Sequence, residues 1–351
     1  MPPFVLLSDP ARYRPCAENM LHDEAFRAYW LGHFPRHFAV IAELALQEYG
    51  AHRRADIEAC HQDLRQTMAA LAQTPGLYGE LDLLVLDVIR QQKLRAYDIP
   101  DPFEKQKRRE NAAALAVYPR VVAELDAHDD GPELLRRLVE GIFAGNIFDM
   151  GAGATATLFA SSSPDFIKVR DSLDGKRPWL IDQFDAFAQR LVAGPRHRKA
   201  VFFLDNAGSD AVLGVLPFVR YLARRGTATV VAANRLPALN DVTCCELLVL
   251  FEQVAAVDDT FAGLLKDGLI SGVDSGGIAP LIDLRHVSEA VNAAAADADL
   301  VLLEGMGRAL ESNFDAAFTV DAVKLCMIKE EIVAQRRGGK VFDTVIRFDA
   351  A

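Results

Sequence analysis

The chain has little cysteine to build with: Cys16, Cys60, Cys244, Cys245 and Cys326 are odd in number and scattered, with no C-x-x-C pair. That excludes a secreted disulfide framework and a zinc ribbon, and it fits a reducing compartment. No apolar run approaches bilayer-spanning length, and the opening MPPFVLLSDPARYRP lacks a basic n-region, a sustained apolar stretch and a small-residue cleavage site. The expectation is a cytoplasmic protein, neither exported nor membrane-spanning. Basic charge is also short, with 38 Lys and Arg against 49 Asp and Glu and a net charge of −11. This opposes a nucleic-acid partner, because such binding depends on cations replacing counterions along the phosphate backbone. A small anionic ligand would need a local cation to overcome the same field.

Other motifs are missing as well. There is no G-x-x-x-x-G-K-[ST], hence no nucleotide-hydrolysing P-loop, and Gly151-x-Gly153 is followed by Ala156 where a dinucleotide-binding turn needs its third glycine. His33 and His37 have the spacing of zinc ligands on a helix, but Pro35 lies between them and the Glu of H-E-x-x-H is absent. They read as a surface or half-buried helical pair. No internal repeat or low-complexity segment occurs.

At 351 residues the chain has room for about two units sharing a large core. From about residue 22 to 193 apolar residues recur at three- and four-residue spacings, as in AVIAELALQEYG and LYGELDLLVLDVIRQQKL. Gly194-Pro195 breaks this pattern, and short β-branched or aromatic runs follow, separated by helical segments. The runs are 200–204, 228–233, 300–303 and 341–346, with a weaker one near Leu269-Ile270. Residues 1–194 therefore read as a helical domain, and 195–351 as an α/β domain with a doubly wound, mostly parallel, Rossmann-like sheet. Ligands of such sheets bind at the carboxyl ends of the strands, so chemistry is sought there.

The first run ends in Asp205-Asn206-Ala207-Gly208-Ser209-Asp210, where a charged and a neutral oxygen precede a helix N-terminus, as a hard cation prefers. The same residues also suit a plain turn and helix cap. After the second run, Thr243-x-x-Glu246 matches a capping box and leaves Asp241 just outside the helix, either as an exposed loop residue or as a further ligand beside Asp205. Glu304-Gly305-Met306-Gly307-Arg308 ends the next, with glycines that let backbone approach a ligand and an Arg able to grip two phosphate oxygens. Ser275-Gly276-Gly277 could form an anion-binding nest of N–H groups or a plain loop. Lys324 sits among apolar residues, where a Lys calls for an anionic partner unless it snorkels to solvent.

In the order DNAGSD, LNDVT, EGMGR, KLCMIK, with AGNIFDMG upstream, the chain from about Asp101 onward closely resembles the metal-dependent damage-control phosphatases of the EGMGR subfamily. That subfamily includes the phosphatase domain fused to pantothenate kinase homologues and stand-alone plant proteins. The resemblance implies hydrolysis of 4′-phosphopantetheine or its oxidised derivatives. It implies metal ligands at Asp205, Asn206 and Asp241, with Asn146 and Asp149 contributed by the helical half. Met150 departs from the Trp common in the family, and Asp101, Lys107, Glu110 and Asn111 echo its pattern. The first hundred residues resemble the family only loosely.

The expected chemistry is metal-assisted hydrolysis of a small-molecule phosphate monoester. The ion would be Mg²⁺ or Mn²⁺, with Co²⁺ and Ni²⁺ as further candidates. Ser275, Gly276, Arg308 and Lys324 would join Asn146 and Asp149 in holding the substrate and its phosphate. The proton acceptor is open between Asp205, Asp241 and Glu304, and direct attack by Asp205 is the runner-up. A haloacid-dehalogenase route is poorly equipped, since Ala207 stands where its general acid belongs. The competing readings are a sugar-phosphate or broad-specificity phosphatase, or an inactive phosphate sensor or scaffold. Oligomeric state is not legible.

Overall fold

The computed structural model describes residues 1–147 and 166–351. Its centre is a seven-stranded sheet: β1 (Ile181–Asp182), β2 (Lys199–Phe203), β3 (Ala228–Ala233), β4 (Ile270–Asp274), β5 (Leu300–Glu304), β6 (Asp321–Met327) and β7 (Thr344–Asp349). The order across the sheet is β1-β7-β6-β5-β2-β3-β4, parallel throughout except for β6 against β7. The chain winds β2, β3 and β4 in one direction, then returns to place β5 and β6 on the other side of β2. The switch point therefore lies between the carboxyl ends of β2 and β5, the position where open α/β sheets bind ligands.

The expected doubly wound sheet is present, with one strand reversed. Ile328, just past β6, hydrogen-bonds with both Phe342 and Asp343, so the chain re-enters at the edge it left and β7 runs antiparallel instead of crossing over. The run expected at 341–346 accordingly contributes only its last three residues. β6 escaped notice as a strand because Asp321 and Lys324 interrupt its apolar run.

Central strands alternate their side chains between two cores. Val201, Phe203, Ala232, Val301 and Leu303 face one, together with helices α1 (Glu24–Tyr49), α2 (Arg54–Gln73) and α3 (Leu83–Ala96). Ala200, Phe202, Val231, Leu300 and Leu302 face the other, together with α4 (Glu104–Asp126) and α5 (Pro132–Ile147). Residues on both sides of the 194–195 break share each core, and β1, which precedes the break, pairs with β7. Among the described residues no helix is long and apolar enough to cross a membrane.

α1 starts at Asp23, whose carboxylate accepts from the Phe26 N–H, and α3 starts at Asp82, which accepts from Val85. On α1 the buried Phe26, Trp30, Phe34, His37, Phe38 and Ile41 fall at helical three- and four-residue steps, which turns one aromatic stripe inward. That stripe brings the first hundred residues over the carboxyl edge of the sheet.

Candidate active site

Asp205 lies two residues beyond β2 and Glu304 is the last residue of β5, the neighbouring strand. The Asp205 N–H donates to Glu304 Oε2 at 3.0 Å, tying the two strand ends together. The loop after β2 is also zipped to the loop after β3. Asn206 and Asp241 pair as an antiparallel bridge, Val242 N–H donates to the Asp205 carbonyl, and Ala207 N–H donates to Asn240. Asp241 is thus held by backbone, two residues before Thr243, the cap of a helix (Cys244–Ala255) that begins with the expected Thr243–Glu246 capping box.

Two close backbone approaches complete the arrangement. At Gly305 φ is +95° and a Cβ would fall 2.1 Å from Asp205 Oδ2, so the first glycine of EGMGR leaves the space that the Asp205 carboxylate fills. At Gly145 a Cβ would meet the Asp210 Cα at 2.8 Å, so α5 lies directly against the π-helical turn Asp210–Val215. This contact delivers Asn146, one residue on. Its Nδ2 donates to Glu304 Oε1 at 2.7 Å and to Asp210 Oδ2 at 3.0 Å.

Asp205, Asp210 and Glu304 are all buried, and one oxygen from each lies within 4.8 Å of the others. Asn206 Nδ2 donates to Asp205 Oδ2 and Asp210 Oδ2, both at 2.9 Å. Three buried carboxylates at this spacing repel one another unless a cation joins them. The donor set is oxygen-rich and hard, and it fits a divalent cation. Asp241 stands beside this set rather than inside it. Its Oδ2 accepts from Asn234 Nδ2 at 2.8 Å and from Arg308 Nη2 at 2.9 Å, while Arg308 Nη1 pairs with Asp205 Oδ1. The fully buried Arg308 guanidinium therefore spans two of the expected ligand carboxylates.

Above this floor opens a cleft with about 640 Å³ of empty space, part of it open to solvent. Asp205, Asn206, Asn240 and Asp241 form its base, Met306, Gly307 and Lys329 one side, and Trp30, His33, Phe34, His37, Asp87 and Arg90 the opposite wall. His33 has its pKa lowered to about 4, first by burial and then by Arg90 and Arg36, although the Glu330 carboxylate 3.8 Å away pulls the other way. The imidazole is thus neutral near pH 7.

Not every expected residue gathers here. Lys324 lies in the middle of β6, three residues short of the carboxyl edge, and its Nζ donates to the carbonyls of Phe314 and Ala316 and pairs with Asp349 at 2.9 Å. Its ammonium is directed toward the opposite end of the strand, since Asp349 pairs with Ala322. Lys329, at the end of the same motif, lines the cleft instead. The Ser275-Gly276-Gly277 loop uses its N–H groups internally: Ser275 N–H donates to Ala233, Gly276 to Asp274 Oδ1 and Gly277 to Ser275 Oγ. It backs Asn234, because a Cβ at Gly277 would collide with the Asn234 amide. Asp149 and Met150 lie outside the described residues.

Asp210 was the residue to find in DNAGSD: the second carboxylate of the run, five positions after the first. Of the α4 residues, Asn111 accepts from the Gly208 N–H at 2.6 Å, and Lys107 pairs with Asp101 and with the capping Glu246. These fix the loops after β2 and β3 from behind. The wall itself comes from α1 and α3.

A family profile, the damage-control phosphatase ARMT1-like domain, matches residues 37–345. The chain belongs to this family. It is 41% identical to a damage-control phosphatase of Arabidopsis thaliana over 77% of this chain and 73% of that one. It is 38% identical to pantothenate kinase 2 of the same plant and 31% identical to the mouse 4′-phosphopantetheine phosphatase, over 99% and 98% of this chain. It spans only 41% and 48% of those two longer proteins. Its fold is shared by a DUF89-family protein of Pyrococcus horikoshii, with a TM-score of 0.61 over 90% of this chain and 95% of that one at 18% identity. The family expected from the motif order is therefore the family found.

Proposed function

We propose that this damage-control family member is a divalent-metal-dependent phosphatase that hydrolyses a small phosphate monoester, with 4′-phosphopantetheine or its oxidised derivatives as the substrate class. The observation that carries the reading is the buried Asp205, Asp210 and Glu304 set at the switch point, opening onto a cleft large enough for a metabolite. The substrate class is supported by the mouse relative's name and by a wall of large side chains on α1 and α3 able to contact a tail.

Asp205, Asp210 and Glu304 would hold the cation, Mg²⁺ or Mn²⁺ on the chemistry of the set, with Asn206 and Asp241 adjoining. Such an ion supplies charge neutralisation at the phosphoryl oxygens and lowers the pKa of a bound water. Asn146 fixes two of the carboxylates, and Asn234 with Arg308 fixes Asp241. Arg308 and Lys329 add positive charge against the net −11 of the chain. The water's proton would pass to one of the strand-end carboxylates, Asp205, Asp241 or Glu304.

The deciding experiment is phosphate release from phosphopantetheine, its sulfonate and sugar phosphates, with the metal-stripped protein given Mg²⁺, Mn²⁺, Co²⁺ or Ni²⁺ in turn. Metal-dependent release that favours phosphopantetheine-type esters is expected. Full activity after metal removal would overturn the assignment.

A further inference from the structure

Among the buried polar atoms of cleft-lining residues that lack a hydrogen-bond partner are a donor and an acceptor on facing sides. The Trp30 Nε1–H of α1 is a donor, and Glu311 Oε1, on the π-helical turn Met306–Ser312 that follows β5, is an acceptor. An unpaired buried polar group costs free energy that a ligand can recover. Trp30 is 4% exposed and is locked edge-on against Phe26, Tyr29, His33 and Phe34, so its N–H is held in one direction. The Glu311 carboxyl is pushed well above the usual range, first by burial and then by the Asp87, Glu330 and Glu18 carboxylates, with Lys329 opposing. Its unpaired Oε1 can accept a hydrogen bond from an N–H in either protonation state.

One donor and one acceptor, set among Phe34, Leu239, Leu281 and Met306, match a planar group that carries one of each. A secondary amide is such a group. The several hydroxyls of a sugar would leave most of their hydrogen bonds unmade against the same apolar surface. We propose that Trp30 and Glu311 form an amide-binding subsite, the indole N–H donating to the carbonyl and the Glu311 carboxyl accepting the N–H of an amide in the tail of the phosphate ester. The inference rests on the phosphatase reading, and it assigns the non-phosphate specificity to the first hundred residues and the EGMGR turn together.

The test uses two synthetic alkyl phosphates of equal length, one with a secondary amide in its tail and one with two methylenes in its place. The readout is the ratio of their kcat/KM values with Mg²⁺ or Mn²⁺, so that a general loss of activity in a variant cancels. The wild type should favour the amide by about tenfold or more. Trp30→Phe and Glu311→Leu should each reduce that ratio by about five- to tenfold, whereas Glu311→Gln, which keeps an accepting oxygen, should retain it. A ratio unchanged in Trp30→Phe and Glu311→Leu, or lost equally in Glu311→Gln, overturns the subsite. Equal turnover of both esters by the wild type overturns it too and leaves the phosphatase reading standing. No turnover of either ester with either metal removes both.

Discussion

The floor and the wall of the cleft are built on opposite principles. At the floor, polar groups lock one another: Asn146 bonds two carboxylates, Asn206 two, and Asp241 accepts from both Asn234 and Arg308. The wall carries a packed aromatic stripe, a neutral His33 and a polar atom left for something else to satisfy. A satisfied network suits a reaction common to a family, since it fixes charge in one geometry. A wall of large side chains suits discrimination, because what it leaves unpaired selects what enters.

The sharpest way to break this comparison is to damage the floor. Asp205→Ala, Asp210→Ala and Glu304→Ala should each lower kcat/KM by about 10³-fold, alike for every phosphate ester, and any double change should cost little more because the three act as one unit. Steady-state kinetics on the two synthetic esters check this. A loss that differs between esters would mean the floor also selects tails. Next in size is Asn234→Ala, which removes a donor to Asp241 without touching the acidic set; kcat/KM should fall by roughly 10- to 100-fold, as for other groups that orient a ligand from behind.

The wall should announce itself in the pH dependence of stability. His33 titrates near 4 in the folded chain but near its ordinary 6.5 when unfolded. Between those values the unfolded state binds the extra proton, so stability falls as pH drops through the window and is fully present above it. His33→Asn should flatten the fall by about 2 to 3 kcal/mol relative to wild type between pH 7 and pH 4. Urea unfolding at several pH values measures it, and parallel curves for the two proteins would place His33 in an exposed, wet setting.

The floor was legible because strand-end chemistry is local. DNAGSD, EGMGR and the Thr243–Glu246 cap each combine backbone demands with oxygen donors within a few residues, and parallel pairing brings such ends together. Asp210 was missed since its approach depends on a π-helical turn and on the close packing of Gly145, neither of which has a sequence signature. Lys324 attracted attention as a charge in an apolar run, yet burial depth along a strand depends on where the strand stops. The wall was hidden for another reason. His33 and His37 read as a surface or half-buried helical pair and Trp30 and Phe34 drew no notice, because only tertiary placement tells a stripe that meets a core from one that meets a cleft.

The smallest expected effect tests whether the floor is held from the helix or from the backbone beneath it. Thr243 caps the helix Cys244–Ala255: its Oγ accepts from the Glu246 N–H at 3.3 Å, while Glu246 Oε2 accepts from the Thr243 N–H at 2.8 Å and Oε1 pairs with Lys107 at 2.7 Å. Thr243→Ala should cost about 1 kcal/mol of stability, and Thr243→Ser should restore most of it. Asp241, only two residues away, has separate support in its bridge to Asn206, in the Val242 N–H to Asp205 and in the Cys244 N–H to Asn234. These bonds do not pass through the threonine side chain. Thermal unfolding should therefore register the cap while kcat/KM changes by less than about twofold, well below the 1 kcal/mol that a directly coupled site would show. If the Ala variant instead loses activity in step with stability, the carboxylate is positioned by the helix as a whole, and the floor is less self-contained than its hydrogen bonds imply.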